Sequence, residues 1–473
     1  MHRFICAGAL AFLMCGTAQA ATPTSWPKNP YPSTYAPKPS APILLRGGTV
    51  LDGKGGEFRA DVVLADGKIQ ALGEALPLPD GAILIDATGK WVTPGIIDVH
   101  SHLGVYPSPG IASTSDGNEA TEPVTADMWA EHSVWPQDAG FYRALAGGVT
   151  ALHILPGSAN LFGGRGVTLK NVNARSVQEM KFPNAPYSLK MACGENPKRV
   201  YGEKGSSPAT RMGNFAGYRA ALIGAGAYQR EWEEYAKKVE GAEGNAGSKR
   251  KKGGDGDMPT PPDRDLEKET LAGLLSGEIL LQNHCYRADE MMQVIDLAKE
   301  FGFKVTTFHH AVESYKVADI LAREGICSAM WADWWGFKLE AYDQIDENIP
   351  LVHAAGGCAI VLSDSELGIQ RLNQEAAKAL ADGRRAGLPV TRGEAWMWLS
   401  ANPAKALGIA QTTGTLEAGK AGDVVLWSGD PLSVYAKAEA VFIDGAKVFD
   451  RTGEDDRPLK DFELAQPNRR SAP

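Results

Sequence analysis

The chain has 473 residues, 44% of them hydrophobic and 22% charged, with a formal net charge of −9. That length exceeds what one small core needs and suits one large domain with a smaller one. The acidic balance argues against a nucleic-acid partner, since dedicated nucleic-acid binders present a basic face.

Taken in chain order, residues 1–20 read as a signal peptide. Arg3 gives a positive start, and "FICAGALAFLMC" an apolar core too short to span a membrane. "AQA" (Ala18, Gln19, Ala20) then gives a small-x-small cleavage site. The mature protein is expected to be exported, periplasmic or secreted, with no stable membrane insertion. Residues 21–42 carry seven prolines within "TPTSWPKNPYPSTYAPKPSAP" and read as an extended linker. Residues 43–94 alternate short apolar runs with Asp-Gly and Gly-Lys turns, the texture of strands and hairpins. The same texture returns at 410–451. The two pieces are expected to pair into one small β-sandwich, followed by a tail at 452–473.

Between them, over 95–409, strand-like runs alternate with helical ones. "GEILLQNHC" precedes "RADEMMQVIDLAKEFG", "FKVTTFHH" precedes "AVESYKVADILAREG", and "CAIVLSD" precedes "IQRLNQEAAKALADGRRAG". This is the pattern of an α/β fold with a parallel sheet, and a (β/α)8 TIM barrel fits the length. Residues 240–268, rich in Gly, Lys, Asp and Pro, read as a flexible insertion between helices. Of six cysteines, Cys6 and Cys15 leave with the signal. Cys193, Cys285, Cys327 and Cys358 have no close spacing and read as buried thiols at strand ends. An oxidising compartment would allow one disulfide.

"GIIDVHSHLG" ends an apolar run with His100 and His102. Residues i and i+2 of a strand share a face, so both imidazoles could reach one metal. Active sites of βα barrels are assembled from the C-terminal ends of several strands. Later strands do end in ligand-type side chains: His284, the pair His309 and His310, and Asp364. From His284 to His310 is 26 residues and from His310 to Asp364 is 54, about one and two βα units. Adjacent strand residues face opposite sides, so only one of His309 and His310 is expected to face the lumen, the other packing against a helix. The strand before His284 offers Lys190, which as a carbamate could bridge two metals, and Glu195, which could ligate unmodified.

These stretches resemble the amidohydrolase superfamily, nearest to its imidazolonepropionase-like and peptidase-like branches. "WVTPGIIDVHSHLG" is similar to the family's first-strand motif. "GGVTALHILPGSANLFGGRG" is similar to its second-strand region, "HHAVESYKVADIL" to the sixth strand and "VLSDSELG" to the eighth. "SANPAKALGI" through "GTLEAGKAGDVVLW" resembles the passage into the second domain. The resemblance implies two divalent metal ions, zinc first with Mn, Fe or Co as substitutes. His100, His102 and Asp364 would hold one ion. His284 and His310 would hold the other, with Glu313 in register after His310. The bridge would come from Lys190 as a carbamate or from Glu195. The implied reaction is hydrolysis of an amide or peptide-like C–N bond by a metal-activated hydroxide, with Asp364 as the proton carrier. Deamination or deacetylation on the same fold is the alternative, and a non-catalytic binding protein is a further one. Arg165, Tyr201 and Arg287 are candidate substrate contacts beside Glu313. "WADWWG" could form an apolar wall. The expected substrate is a small molecule or short peptide, and a homo-oligomer is compatible with the fold.

Overall fold

The computed structural model describes residues 25–246 and 259–453. The signal-peptide reading of 1–20, the middle of the expected insertion and most of the C-terminal tail lie outside the described residues. The chain divides into two compact units, a small one from 1–28 with 229–264 and a large one from 29–228 with 265–473. In the small unit Trp26 meets Trp232 edge-on at 5.8 Å, and Trp232 meets Tyr235 the same way at 5.8 Å. The helix Arg211–Ala246 supplies residues to both units. Residues 240–246 are therefore helical, and the helix Leu266–Leu275 begins within the other end of the expected insertion.

The large unit contains two eight-stranded sheets. The first joins both ends of the chain. Its N-terminal strands are β1 (Ile43–Leu51), β2 (Glu57–Ala65), β3 (Lys68–Gly73), β4 (Ile83–Asp86) and β5 (Trp91–Pro94). A second set of strands is β6 (Ile96–Ser101), β7 (Val149–Ile154), β8 (Phe162–Lys170), β9 (Ser188–Ala192), β10 (Leu280–Cys285), β11 (Val305–His310), β12 (Cys327–Met330) and β13 (Cys358–Val361). The chain then returns to the first sheet with β14 (Val424–Trp427), β15 (Ala438–Ile443) and β16 (Ala446–Asp450). The antiparallel pair β5–β14, with Trp91 opposite Trp427, joins the two ends in one hydrogen-bonded sheet. Its apolar side chains, among them Leu45, Val62, Val92, Leu426 and Phe442, form a core of their own.

The second sheet runs β13-β12-β11-β10-β9-β8-β7-β6, the order of a barrel. Strands β6, β7 and β9 are buried at every position, as a sheet covered on both faces requires. Helices follow the later strands: Ala288–Phe301 after β10, Ala318–Glu324 after β11, Asn348–Ala354 after β12 and Leu372–Arg385 after β13. Two of them end as the glycines in the sequence predict, on left-handed Gly302 (φ 77°) and Gly325 (φ 71°). The fold is thus a TIM-barrel-like α/β fold with a separate sheet domain.

Two expectations need correction. The barrel is not all parallel: β8 runs antiparallel to both β7 and β9. Only residues 155–161 separate β7 from β8, too few for a helical crossover but enough for a reversal. The four cysteines are not free thiols, because Cys193 is bonded to Cys285 and Cys327 to Cys358. Parallel pairing explains this. Cys327 and Cys358 are register partners on β12 and β13, with Cα atoms 4.5 Å apart. Cys193 follows β9 directly beside the end of β10, with a Cα separation of 5.2 Å from Cys285. Residues 31 and 92 positions apart in sequence become neighbours only once the barrel is wound.

Closing loops of those lengths stabilises a fold by about 2–5 kcal/mol per bridge. Peptide mapping after alkylation without reduction should therefore leave these four positions unlabelled, and reduction should lower the melting temperature. Labelling of all four in non-reduced protein would refute both pairings.

Candidate metal centre

The barrel is sealed between its first and last strands by a buried carboxylate. Asp98 on β6 accepts hydrogen bonds from the Ser363 hydroxyl, from Ser363 N at 3.2 Å and from His100 N at 3.2 Å. One residue further on, Asp364 N donates to the His100 carbonyl at 3.0 Å. The segment after β13 is thereby laid across the mouth of β6. Burial pushes the Asp98 carboxyl up to about 7, against the opposing effect of these hydrogen bonds.

The seam brings Asp364 to the histidines. Its Oδ1 lies 3.5 Å from His100 Nε2 and 3.3 Å from His102 Nε2, and its Oδ2 lies 3.8 Å from His310 Nδ1. The His284 ring centroid is 4.4 Å from that of His310. Lys190, on β9 and 1% exposed, extends Nζ to 3.3 Å from His100 Nε2. Four strand ends and β9 therefore meet at one mouth: His100, His102, Lys190, His284, His310 and Asp364. Donor atoms of His100, His310 and Asp364 all fall within 4.8 Å of one another.

His310 and Asp364 have left-handed backbones, with φ of 67° and 47°. Such values are strained for residues with a Cβ and occur where a site holds them. The turn at His310 breaks the strand's alternation. Both His309 and His310 consequently reach the His100 ring, with centroids 4.8 and 4.9 Å away. The expectation that one of the pair packs against a helix is overturned, because it assumed regular strand geometry to the end of β11.

Hydrogen-bond directions fix the protons on the first two histidines. His102 Nδ1 lies 2.8 Å from the Leu155 carbonyl, which can only accept, so Nδ1 carries the proton. For His100 the chain of reasoning is longer. The Gln282 amide nitrogen donates to the Ala406 carbonyl at 3.1 Å, which turns Gln282 Oε1 toward His309 Nε2 at 2.7 Å. His309 Nε2 therefore carries a proton. Burial holds His309 well below the ordinary imidazole range, with Lys190 adding to the effect, so the ring is neutral and its Nδ1 accepts. The donor to it, at 3.0 Å, is His100 Nδ1. Both Nε2 atoms then present lone pairs to the same carboxylate oxygen.

Lone pairs on two nitrogens and an oxygen repel at such distances unless positive charge lies among them. Burial also holds His100, His284 and His310 well below the usual imidazole range, so protonating them is no remedy. Lys190 is pushed down to about 8 by burial, with Asp364 opposing, so at neutral pH its amine still carries a proton that it can donate to His100 Nε2 at 3.3 Å, whereas His102 Nε2 and Asp364 Oδ1 face each other at 3.3 Å. The Nδ1 atoms of His284 and His310 are buried without a hydrogen-bond partner among the described residues. Imidazole and carboxylate donors in this arrangement fit divalent cations.

Other expected contacts lie elsewhere. Glu195 begins the helix Glu195–Glu203 and approaches Lys338 at 3.9 Å, not the histidines. Arg165 is buried, donating to Thr270 Oγ1 at 2.8 Å and lying 4.0 Å over the Trp129 ring, so it serves packing. Tyr201 donates to the Glu122 carbonyl at 2.5 Å. Arg287 pairs with Asp289 at 2.9 Å. Glu313 accepts from Ala288 N at 2.8 Å and caps the helix after β10. Each of these four has a partner within the protein. Residues that were not among the expected ligands also border the site. They are His309, Gln282 and Asp98, Asn196 (its amide nitrogen 3.5 Å from His284 Nε2), and Tyr286, stacked 5.0 Å from His310. The adjacent pair "HH" was the one visible signal among them.

A family model described as "Amidohydrolase family" matches residues 343–452. The solved amidohydrolase from Thermotoga maritima MSB8 is 34% identical, with 86% of this chain and 100% of that one covered and a TM-score of 0.71. The chain belongs to the amidohydrolase family. Amidohydrolase tasK of Hapsidospora irregularis is 34% identical over 407 residues, 82% of this chain and 40% of that protein. The dihydroorotase of Thermoanaerobacter sp. (strain X514) is 46% identical over 61 residues, 13% of this chain and 14% of that one. The amidohydrolase described here thus spans two fifths or less of the length of these two curated relatives.

The proton assignments are directly measurable. In metal-free protein, nitrogen-15 NMR should find His100 and His102 both protonated at Nδ1. Gln282→Leu should mix the tautomers of His100, leave His102 unchanged, and weaken metal binding about 10–100-fold. A His100 spectrum unaffected by that substitution would break the relay.

Proposed function

We propose that the protein is a metal-dependent hydrolase of an amide or peptide-like C–N bond. The observation that carries this is the convergence of His100 Nε2, His102 Nε2 and Asp364 Oδ1, with the Lys190 amine 3.3 Å from His100 Nε2, a set of imidazole and carboxylate donors of the kind that holds a divalent cation. His100, His102 and Asp364 would hold one divalent cation, and His284 and His310 a second, zinc being the first choice. Cations there would polarise a scissile carbonyl and make a water acidic at neutral pH.

Lys190 is proposed as the bridge in carbamate form. Its Nζ is beside His100 Nε2, whereas Glu195 is turned toward Lys338. Burial favours the neutral amine, the form that reacts with carbon dioxide. Asp364 is the proton carrier: its carboxylate takes a proton from the attacking water and returns it to the leaving nitrogen. With its side chain 23% exposed, it is reachable from the barrel mouth, while His100 and His310 behind it are not. Tyr286 and Trp331 flank His310 and keep water from its outer face.

We also propose that the chain is exported. Two disulfides accord with an oxidising compartment, where such bonds persist.

Asp364→Asn should lower kcat on a cleaved amide by about 10²–10⁴-fold, the range of one proton-transfer group. Lys190→Met should reduce bound metal from two ions per chain to one or fewer. Reconstitution of the wild type with carbon-13 bicarbonate should give a carbamate carbon signal that the variant lacks. Two ions per chain in Lys190→Met would remove Lys190 from the bridge.

A further inference from the structure

Beside Asp364 the barrel mouth opens into a cavity of about 490 Å³, lined by Tyr286, Trp331, Asp333, Trp334, Trp335 and Phe337. Large aromatic side chains normally withdraw from water, yet Trp334, Trp335 and Phe337 are 41%, 55% and 58% exposed. They are not a scattered set. Trp331 lies 4.5 Å from the His310 ring, Trp334 stacks on Trp331 at 5.5 Å, and Phe337 meets Trp331 edge-on at 5.8 Å. An unbroken run of ring contacts leads from a proposed metal ligand to the surface of the cavity.

The run is held in place from behind. Trp331 is buried, and its indole N–H donates to the Ser363 carbonyl at 3.3 Å, on the same seam that places Asp364. The charged groups nearby are already paired. Asp333 accepts from Lys378 at 3.0 Å. Lys338 pairs with Glu340 at 2.6 Å and lies 4.0 Å over the Tyr286 ring. Away from Asp364, then, the cavity offers flat apolar surface and little unpaired charge. Such a wall recognises a flat apolar group by stacking and by releasing water from both surfaces.

We infer that this cavity is the substrate's specificity pocket and that it takes an aromatic group adjacent to the scissile C–N bond. The inference rests on the hydrolase reading for the position of that bond, but the pocket itself does not. A substrate whose carbonyl reaches Asp364 has its neighbouring substituent against Trp334 and Phe337, because the same cavity contains both.

The experiment has two arms. In the first, zinc-loaded enzyme is given N-acetyl amino acids and glycyl dipeptides differing only in alanine, phenylalanine or tryptophan. The aromatic substrates should exceed the alanine ones at least tenfold in kcat/KM, chiefly through KM. The combined substitutions Trp334→Ala and Phe337→Ala should bring that ratio near one. Both residues are exposed, so the melting temperature should hold, and Trp334→Phe should restore the preference. In the second arm, calorimetry measures binding of 2-acetylnaphthalene, an uncleavable aromatic ketone, with acetone as the control. The double variant should weaken the naphthyl ketone at least tenfold.

Cleavage with no aromatic preference would overturn the pocket while leaving the hydrolase reading intact. Ketone binding that the double variant loses, with no peptide or acyl amino acid cleaved, would keep the pocket and overturn the hydrolase reading. Equal ketone binding by wild type and double variant would overturn the pocket. So would a dimer that dissociates on the same substitutions, because the wall would then belong to a second copy.

Discussion

Eight strands wound into a cylinder must be joined between the first and the last, and this joint sets everything else at the mouth. Here a buried carboxylate makes much of it, beside backbone bonds from Ile97 and Val361 to the Trp398–Leu399 segment. Asp98 takes the hydroxyl and amide of Ser363, and the adjacent amide of Asp364 donates to the His100 carbonyl. Asp98 thus fixes where Asp364 stands relative to His100 and His102 without touching any of their side-chain tips. A carboxylate buried this deeply tends to hold its proton, as the upward shift shows.

The second constraint is one of polarity. Proteins rarely bury acceptors against acceptors, since each unpaired polar group costs about 1–3 kcal/mol. This site does so repeatedly, with two imidazole nitrogens against one carboxylate oxygen and two further imidazole nitrogens without partners. The surrounding protein spends its own donors and acceptors on maintaining that arrangement. Leu155 holds His102 from behind, and the relay Ala406–Gln282–His309 holds His100. Left-handed backbones at His310 and Asp364 add strain in the same cause. Acceptor crowding and backbone strain thus meet at one point, with the Lys190 amine beside His100 Nε2, and a cation in the site would relieve the crowding.

Much of this was legible in the sequence, for a physical reason. Strand ends are marked locally, by apolar runs that stop at His100, His284, His310 and Asp364, and the βα repeat dictates that such ends share one mouth. What escaped notice depends on which strands are neighbours. Cys327 and Cys358 look unrelated until β12 lies against β13. Strand β8 begins with "FGGRG", whose glycines carry little strand signal. His309 was misplaced because alternation was extended to a strand end where the backbone turns left-handed. The surroundings of Arg165, Arg287, Tyr201 and Glu313 are not legible in the sequence for a related reason. Their residue types suit a substrate, but only tertiary structure shows that Thr270, Asp289, Glu122 and Ala288 already occupy them.

Polar and apolar functions are separated in depth. Inside the barrel, the His100 ring is met by His309, Lys190 and Asp364 through directional polar contacts, which suits positioning of a reaction centre. Above His310 the chemistry changes within one ring's width to tryptophan, tyrosine and phenylalanine. Stacking is tolerant of what it receives, whereas the relay beneath is not. Variation in the "WADWWG" loop could therefore alter which molecule is held without disturbing how His100 and Asp364 are held. A bond linking the two layers runs from the Trp331 indole to the Ser363 carbonyl, so the wall is referenced to the same seam that Asp98 closes.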